Sequence, residues 1–168
     1  MSNHASYADA VVLAAALPAD VRRAAKSELA HAGVVRFVLR RLGTHFVARD
    51  DSLRGIEDTR SLVAAVRAGG VVGSFPEGTF TRAPGSGPFR LGAFAVAVPT
   101  GVPDVPVVLE GTRSLLRAGR RLPERHPMRV SVGAPVVPDG ADWSAAVRLR
   151  DAVRGAVVAA SGEPDLAR

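Results

Sequence analysis

Residues 52–79 read SLRGIEDTRSLVAAVRAGGVVGSFPEGT. The first part places apolar residues at helical spacing and stops at Gly69-Gly70, so it reads as an amphipathic helix. GVVGSF behind it is a short apolar run of the kind that forms a buried strand. The chain then leaves through PEGT into PEGTFTRAPGSGP (76–88), a loop rich in Gly and Pro. Helix, strand and strand-tip loop in that order form the repeating unit of an α/β layer fold.

The alternation continues in both directions. Upstream lie THFVAR (44–49) as a strand, SELAHAGVVRFVLRRLG (27–43) as a helix, VRRAAK (21–26) as a strand and DAVVLAAAL (9–17) as a short helix closed by Pro18. Downstream, LGAFAVAV (91–98) reads as a small apolar helix. VPVVL (105–109) and MRVSVG (128–133) read as strands, and WSAAVRLRDAVRGAVVAA (143–160) as a C-terminal amphipathic helix. The expected architecture is a single α/β domain over residues 1–168, with a largely parallel or mixed sheet flanked by helices. The tail SGEPDLAR (161–168) is expected to fray.

The chain has 168 residues, a net charge of +6 and no cysteine, so disulfide and thiolate chemistry are excluded. Arginines cluster at Arg22/Arg23, Arg36/Arg40/Arg41 and Arg117/Arg120/Arg121/Arg125/Arg129, while Lys26 is the only lysine. Such patches suit phosphates or an anionic membrane surface, or simply solvent. One Trp and one Tyr are too few for base-stacking platforms. No apolar run reaches the roughly 18 residues of a spanning helix, and Asp9 and Asp20 interrupt the N-terminal region, against a signal peptide.

Four stretches carry possible chemistry. In NHASYAD (3–9), a histidine and an aspartate stand five apart, the pairing in which a carboxylate orients an imidazole base. Within one helix they would be about 140° apart around the axis. They therefore meet only if His4 precedes the helix and its loop folds back over the first turn. Ser6-x-x-Asp9 is also a capping box, and HFVARD (45–50) repeats the spacing, so structural readings stand beside the catalytic one. In FPEGT (75–79), Glu77 sits at a strand tip, either gripping a substrate hydroxyl or an arginine, or solvated in a plain turn. GTHFVAR (43–49) delivers Arg49 to a strand end, for a phosphate or for a salt bridge with Asp50 or Asp51. VPVVLEGT (105–112) reads as a buried structural strand.

Taken together and in order, N-H-x-S-x-x-D, G-x-x-F-x-x-R, F-P-E-G-T and V-P-V-V resemble the blocks of the glycerolipid acyltransferases, of which 1-acyl-glycerol-3-phosphate acyltransferase is the best-known type. The blocks span residues 3–112. The resemblance implies a glycerol-phosphate acyltransferase-like fold and O-acyl transfer in phospholipid synthesis. The donor would be acyl-CoA or acyl carrier protein, and the acceptor hydroxyl would belong to a phosphorylated glycerolipid. By the same resemblance His4 is the general base and Asp9 its orienting partner. Arg49 binds acceptor phosphate, Glu77 and Gly78 shape the acceptor site, and Thr79 and Arg82 line it. The implied protein works on the inner, cytoplasmic membrane face as a peripheral enzyme, with no metal, no resident cofactor and no nucleic-acid partner.

Two departures qualify the resemblance. The family's EGT is usually followed by arginine, where this chain has Phe80, leaving Arg82 as the nearest arginine. The family also carries a helical segment and a strand before its histidine block, whereas only Met1 and Ser2 precede Asn3 here. The chain therefore reads as N-terminally truncated, with exposed sheet edges expected. The rival to an active enzyme is an inactive truncated member that binds phosphorylated lipid or acyl-CoA without turnover.

Overall fold

The computed structural model describes residues 1–6, 8–17, 21–26, 44–47, 52–79, 83–115 and 124–167, with backbone alone for 21–26, 44–47 and 52–58. The helix expected over 27–43 lies outside these residues, as do Arg49 and Arg82.

Strands β1 (Val21–Lys26), β2 (Thr44–Val47) and β3 (Val71–Gly73) form a parallel sheet in the order β2-β1-β3. Strands β4 (Val107–Glu110) and β5 (Arg129–Val132) form a separate antiparallel pair. The fold is therefore α/β with mixed strand directions. Pro106 has no N–H to give a ladder, which accounts for β4 beginning at Val107 rather than at Val105.

Residues 1–3 bridge the two sheets. Ser2 N–H donates to the Ser74 carbonyl at 3.1 Å, just past β3, while Val107 N–H of β4 donates to the Met1 carbonyl at 2.7 Å. These few residues occupy the place expected of a strand before the histidine block and pair backbone that would otherwise stand open.

Helix α1 (Asp9–Ala16) follows at once, and helix α2 (Ser52–Arg67) leads into β3 through Gly69, whose φ of +84° is left-handed backbone. The expected helix over 91–98 is instead a 3-10 turn at Leu91–Ala93 and a short helix α3 (Ala97–Thr100). Gly92 weakens the early part as a helix, and packing settles the rest, with Phe94 and Val98 buried in the core. A short helix α4 (Thr112–Leu115) follows β4.

The C-terminal helix α5 (Trp143–Ser161) is capped by the Asp142 carboxylate, which accepts from Ala145 N–H at 2.8 Å. Its stripe Leu149, Val153 and Val157 is fully buried against Val108 of β4 and against Phe94 and Val98. Each such side chain contributes roughly 1.5–3 kcal/mol by leaving water.

The tail is not frayed. Residue 165 pairs with Ser86 as a parallel bridge, Ser86 N–H donates to the Pro164 carbonyl at 2.9 Å, and Leu166 N–H donates to the Ser86 carbonyl at 3.0 Å. Composition predicted fraying because the partners that hold the tail are far away in sequence.

Candidate active site

The loop Asn3–Ser6 joins the bridging segment to α1. Asn3 anchors its start: Oδ1 accepts from Leu109 N–H at 2.8 Å and Nδ2 donates to the Leu109 carbonyl at 2.9 Å. A side-chain amide carries the same donor and acceptor as a peptide group, so Asn3 adds one more rung to the edge of β4. The amide is buried, which makes both bonds costly to lose.

His4 stands before α1 and Asp9 is its first residue, so the geometric condition on the pair is met. His4 Nδ1 lies 2.8 Å from Asp9 Oδ2. The same oxygen accepts from Ala5 N–H at 2.6 Å and Ser6 N–H at 2.8 Å. Asp9 has no exposed side-chain surface, whereas the His4 side chain is 19% exposed. The loop is wrapped around the carboxylate with the imidazole at its rim. The capping-box contact and the His–Asp pair thus coexist: Ser6 N–H and His4 share one oxygen. Asp9 Oδ1 is buried without a hydrogen-bond partner among the described residues.

Because the carboxylate accepts, Nδ1 carries the proton and Nε2 is the proton-accepting atom. The ring plane is fixed from its face by Phe75, stacked at a centroid distance of 4.4 Å and an interplanar angle of 19°. Phe75 was part of the quoted FPEGT motif, yet nothing in its spacing assigned it to the imidazole.

Glu77 is buried at the tip beyond β3. Its Oε1 accepts from His4 N–H at 2.8 Å and its Oε2 from Gly87 N–H at 2.9 Å. Burial pushes this carboxyl above its ordinary range, and the two backbone donors, His4 first, oppose the shift. Both oxygens are thus engaged by backbone on either side of the loop. Gly78 adopts a φ of +80°, as the tight turn after Glu77 requires, and its N–H donates to the Phe75 carbonyl at 3.0 Å. Thr79 is exposed beside it. His4, Asp9, Glu77, Gly78 and Thr79 therefore share one end of the fold. No helix among the described residues is long and apolar enough to cross a membrane.

Known proteins resemble this chain in sequence and in fold. The chloroplastic 1-acyl-sn-glycerol-3-phosphate acyltransferase of Brassica napus is 30% identical over 84% of this chain and 41% of its own length. Its counterpart in Arabidopsis thaliana is 28% identical over 84% of this chain and 40% of its own. The chain thus spans about two fifths of these relatives. The crystal structure of the 1-acyl-sn-glycerophosphate acyltransferase PlsC of Thermotoga maritima superposes with a TM-score of 0.75 at 27% identity, covering 95% of this chain and 62% of that one. The profile described as Acyltransferase matches residues 1–110, more than half of the sequence and the whole of the His4–Asp9–Glu77 cluster, so the chain belongs to the acyltransferase family.

Proposed function

We propose that this chain moves a fatty acyl group from a thioester, acyl-CoA or acyl carrier protein, to the free hydroxyl of a lysophospholipid such as 1-acyl-glycerol-3-phosphate. The reaction would serve phospholipid synthesis at the cytoplasmic face of an anionic membrane. The observation that supports it most is the His4 Nδ1 to Asp9 Oδ2 contact of 2.8 Å, made to a fully buried carboxylate that two loop N–H groups hold in place.

His4 Nε2 takes the proton of the acceptor hydroxyl as its oxygen attacks the thioester carbon. The Asp9 charge beside Nδ1 stabilises the imidazolium that forms. When the tetrahedral intermediate collapses, the C–S bond breaks and the departing sulfur takes the proton back from Nε2. The products are an ester and a free thiol. The thioester is already activated, so the reaction calls for no resident cofactor or metal. Ala5 and Ser6 N–H are committed to Asp9, Ala8 N–H to Ser6 Oγ and Asp9 N–H to the Ser6 carbonyl, so none of these four donors is free as placed to stabilise the oxyanion. Arg49 and Arg82 are the proposed contacts for acceptor phosphate, with Gly78 and Thr79 lining the acceptor pocket. Glu77 shapes that pocket by holding its walls, since its oxygens are bonded to His4 and Gly87.

The test is acceptor-dependent thiol release from palmitoyl-CoA with lysophosphatidic acid in liposomes, wild type beside His4→Ala. The expected loss in the variant is about 10²–10⁴-fold, the range for removing a general base. Release that survives the substitution unchanged removes His4 from the mechanism. Binding of both substrates by the wild type without any release favours the inactive, lipid-binding alternative.

A further inference from the structure

Gly85, Ser86 and Gly87 lie between two prolines and are all buried. The two glycines are there for close approach. A Cβ on Gly85 would meet Leu166 Cγ at 2.4 Å, and one on Gly87 would meet Glu77 Oε2 at 3.3 Å. This short segment is therefore sandwiched between the C-terminal tail and the glutamate that holds the His4 backbone.

Its ties to the tail are numerous and mostly polar. Besides the backbone pairing of Ser86 with Pro164 and Leu166, Gly85 N–H donates to Glu163 Oε2 at 2.9 Å. Arg113 bonds that same carboxylate at 2.9 Å. From α5, Arg154 donates through Nε to the Gly87 carbonyl at 3.2 Å and through Nη2 to the Ser86 carbonyl at 3.4 Å, and its guanidinium forms a two-point ion pair with Asp165. Gly87 then donates to Glu77, and Glu77 accepts from His4. An unbroken path of bonds runs Asp165, Arg154, Gly87, Glu77, His4, Asp9.

We infer that the C-terminal tail is a positioning device for the catalytic histidine, acting through Arg154 and the Gly87–Glu77 bond. The functional consequence rests on the acyl-transfer reading above; the mechanical one does not. Arg113, Arg154, Glu163 and Asp165 all lie beyond residue 110, where the match to the Acyltransferase family model ends. None of them touches the reacting atoms. Arg154 fixes where the Gly87 peptide sits, that peptide fixes Glu77 Oε2, and the opposite oxygen fixes the His4 N–H. A base displaced by even about 1 Å loses much of its rate, so slack anywhere on the path reaches the chemistry.

The experiment uses the full chain with Arg154→Met, which keeps an unbranched stem and removes the donors. Residue-resolved amide exchange by NMR should rise about tenfold at His4 and Gly87 and stay unchanged at Val108, buried in β4. In the acyl-transfer assay kcat should fall about tenfold with KM for the acyl donor unchanged. The decisive arm is the Glu77→Gln background. Gln sets an NH₂ against one of two N–H donors, so the path is already cut there, and adding Arg154→Met should change kcat less than about twofold. Arg154→Lys, which restores charge but not the fork, should recover only part of the loss.

Unchanged exchange at His4 and Gly87 in Arg154→Met overturns the inference, as does full additivity with Glu77→Gln. If Arg154→Met does not fold, Asp165→Asn releases the guanidinium from outside the core, and the same readouts decide. A wild type without acyl transfer defeats the proposed function, while the exchange measurements still settle whether the tail positions His4.

Discussion

Residues 1–6, before α1, and residues 162–167, after α5, both lie as non-helical segments against the rest of the fold, but they are held by different chemistry. At the N-terminal segment, Asn3 and Asp9 are buried side chains bonded to backbone N–H and C=O groups. At the tail, the charged side chains also bond backbone but are tied to one another in ion pairs with water in reach: Arg113–Glu163 is 20%/25% exposed and Arg154–Asp165 is 16%/21% exposed. A buried bond to backbone leaves the side chain no alternative partner, so it fixes an atom. A partly exposed ion pair is screened and replaceable by water, so it fixes a segment. His4, the proposed base, hangs from the first kind, and the second kind is the one inferred to steady it from outside.

The largest expected effect is at Asp9. Asp9→Asn is isosteric, but the new amide must present an NH₂ either to the loop N–H groups or to His4 Nδ1. The second orientation selects the wrong tautomer. Loss of kcat should be on the order of 10³–10⁴-fold, with KM little changed. The same change in the tail, Asp165→Asn, should cost about tenfold or less, because water can take the place of the lost charge pair. Steady-state kinetics on the two variants measures the difference directly. Equal losses would mean that burial does not separate the two ends.

Asn3→Ala comes next. It strands the N–H and C=O of Leu109 inside the fold, and the expected loss of stability is about 2–4 kcal/mol. Urea denaturation reads it. A loss below about 0.5 kcal/mol would mean that water replaces the amide and that this rung is not a true continuation of β4.

The N-terminal end was largely legible in the sequence and the C-terminal end was not, for the same physical reason. His4, Ser6 and Asp9 interact across five residues or fewer, so their spacing carries the geometry. The alternation of helices and strands was likewise local, and β1, β2, β3, β4 and α5 appear close to where periodicity put them. Glu77 was visible as a strand-tip carboxylate, but its bond to His4 spans 73 residues and no spacing reports it. Gly85 and Gly87 read only as members of a Gly- and Pro-rich loop, and the structure makes them sites of close approach. The tail looked free because Glu163 reaches Gly85 across 78 residues and Arg113 across 50. The strand order, with residues 1–3 between two sheets, is a tertiary fact of the same kind.

The smallest expected effect sharpens the distinction most, because it is found on the same helix. Arg148 and Arg154 both project from α5 and both bond an aspartate. Arg148 Nε lies 2.7 Å from Asp139 Oδ2, as good a distance as any in the tail. Its pair is 53%/60% exposed, however. Arg148 holds the Asp139 carboxyl below its ordinary range, but across open solvent that attraction competes with hydration and with the entropy of two mobile side chains. Arg148→Ala should therefore leave both the Tm and the acyl-transfer rate at their wild-type values within error, while Arg154→Met lowers the rate. Both arginines pair with an aspartate, so burial, the second point of the Arg154 pair and its bonds to Ser86 and Gly87 are what differ. A fall in Tm for Arg148→Ala as large as that for Arg154→Met would show that geometry alone sets the worth of these pairs, and the contrast between the two ends would have to be rebuilt on that basis.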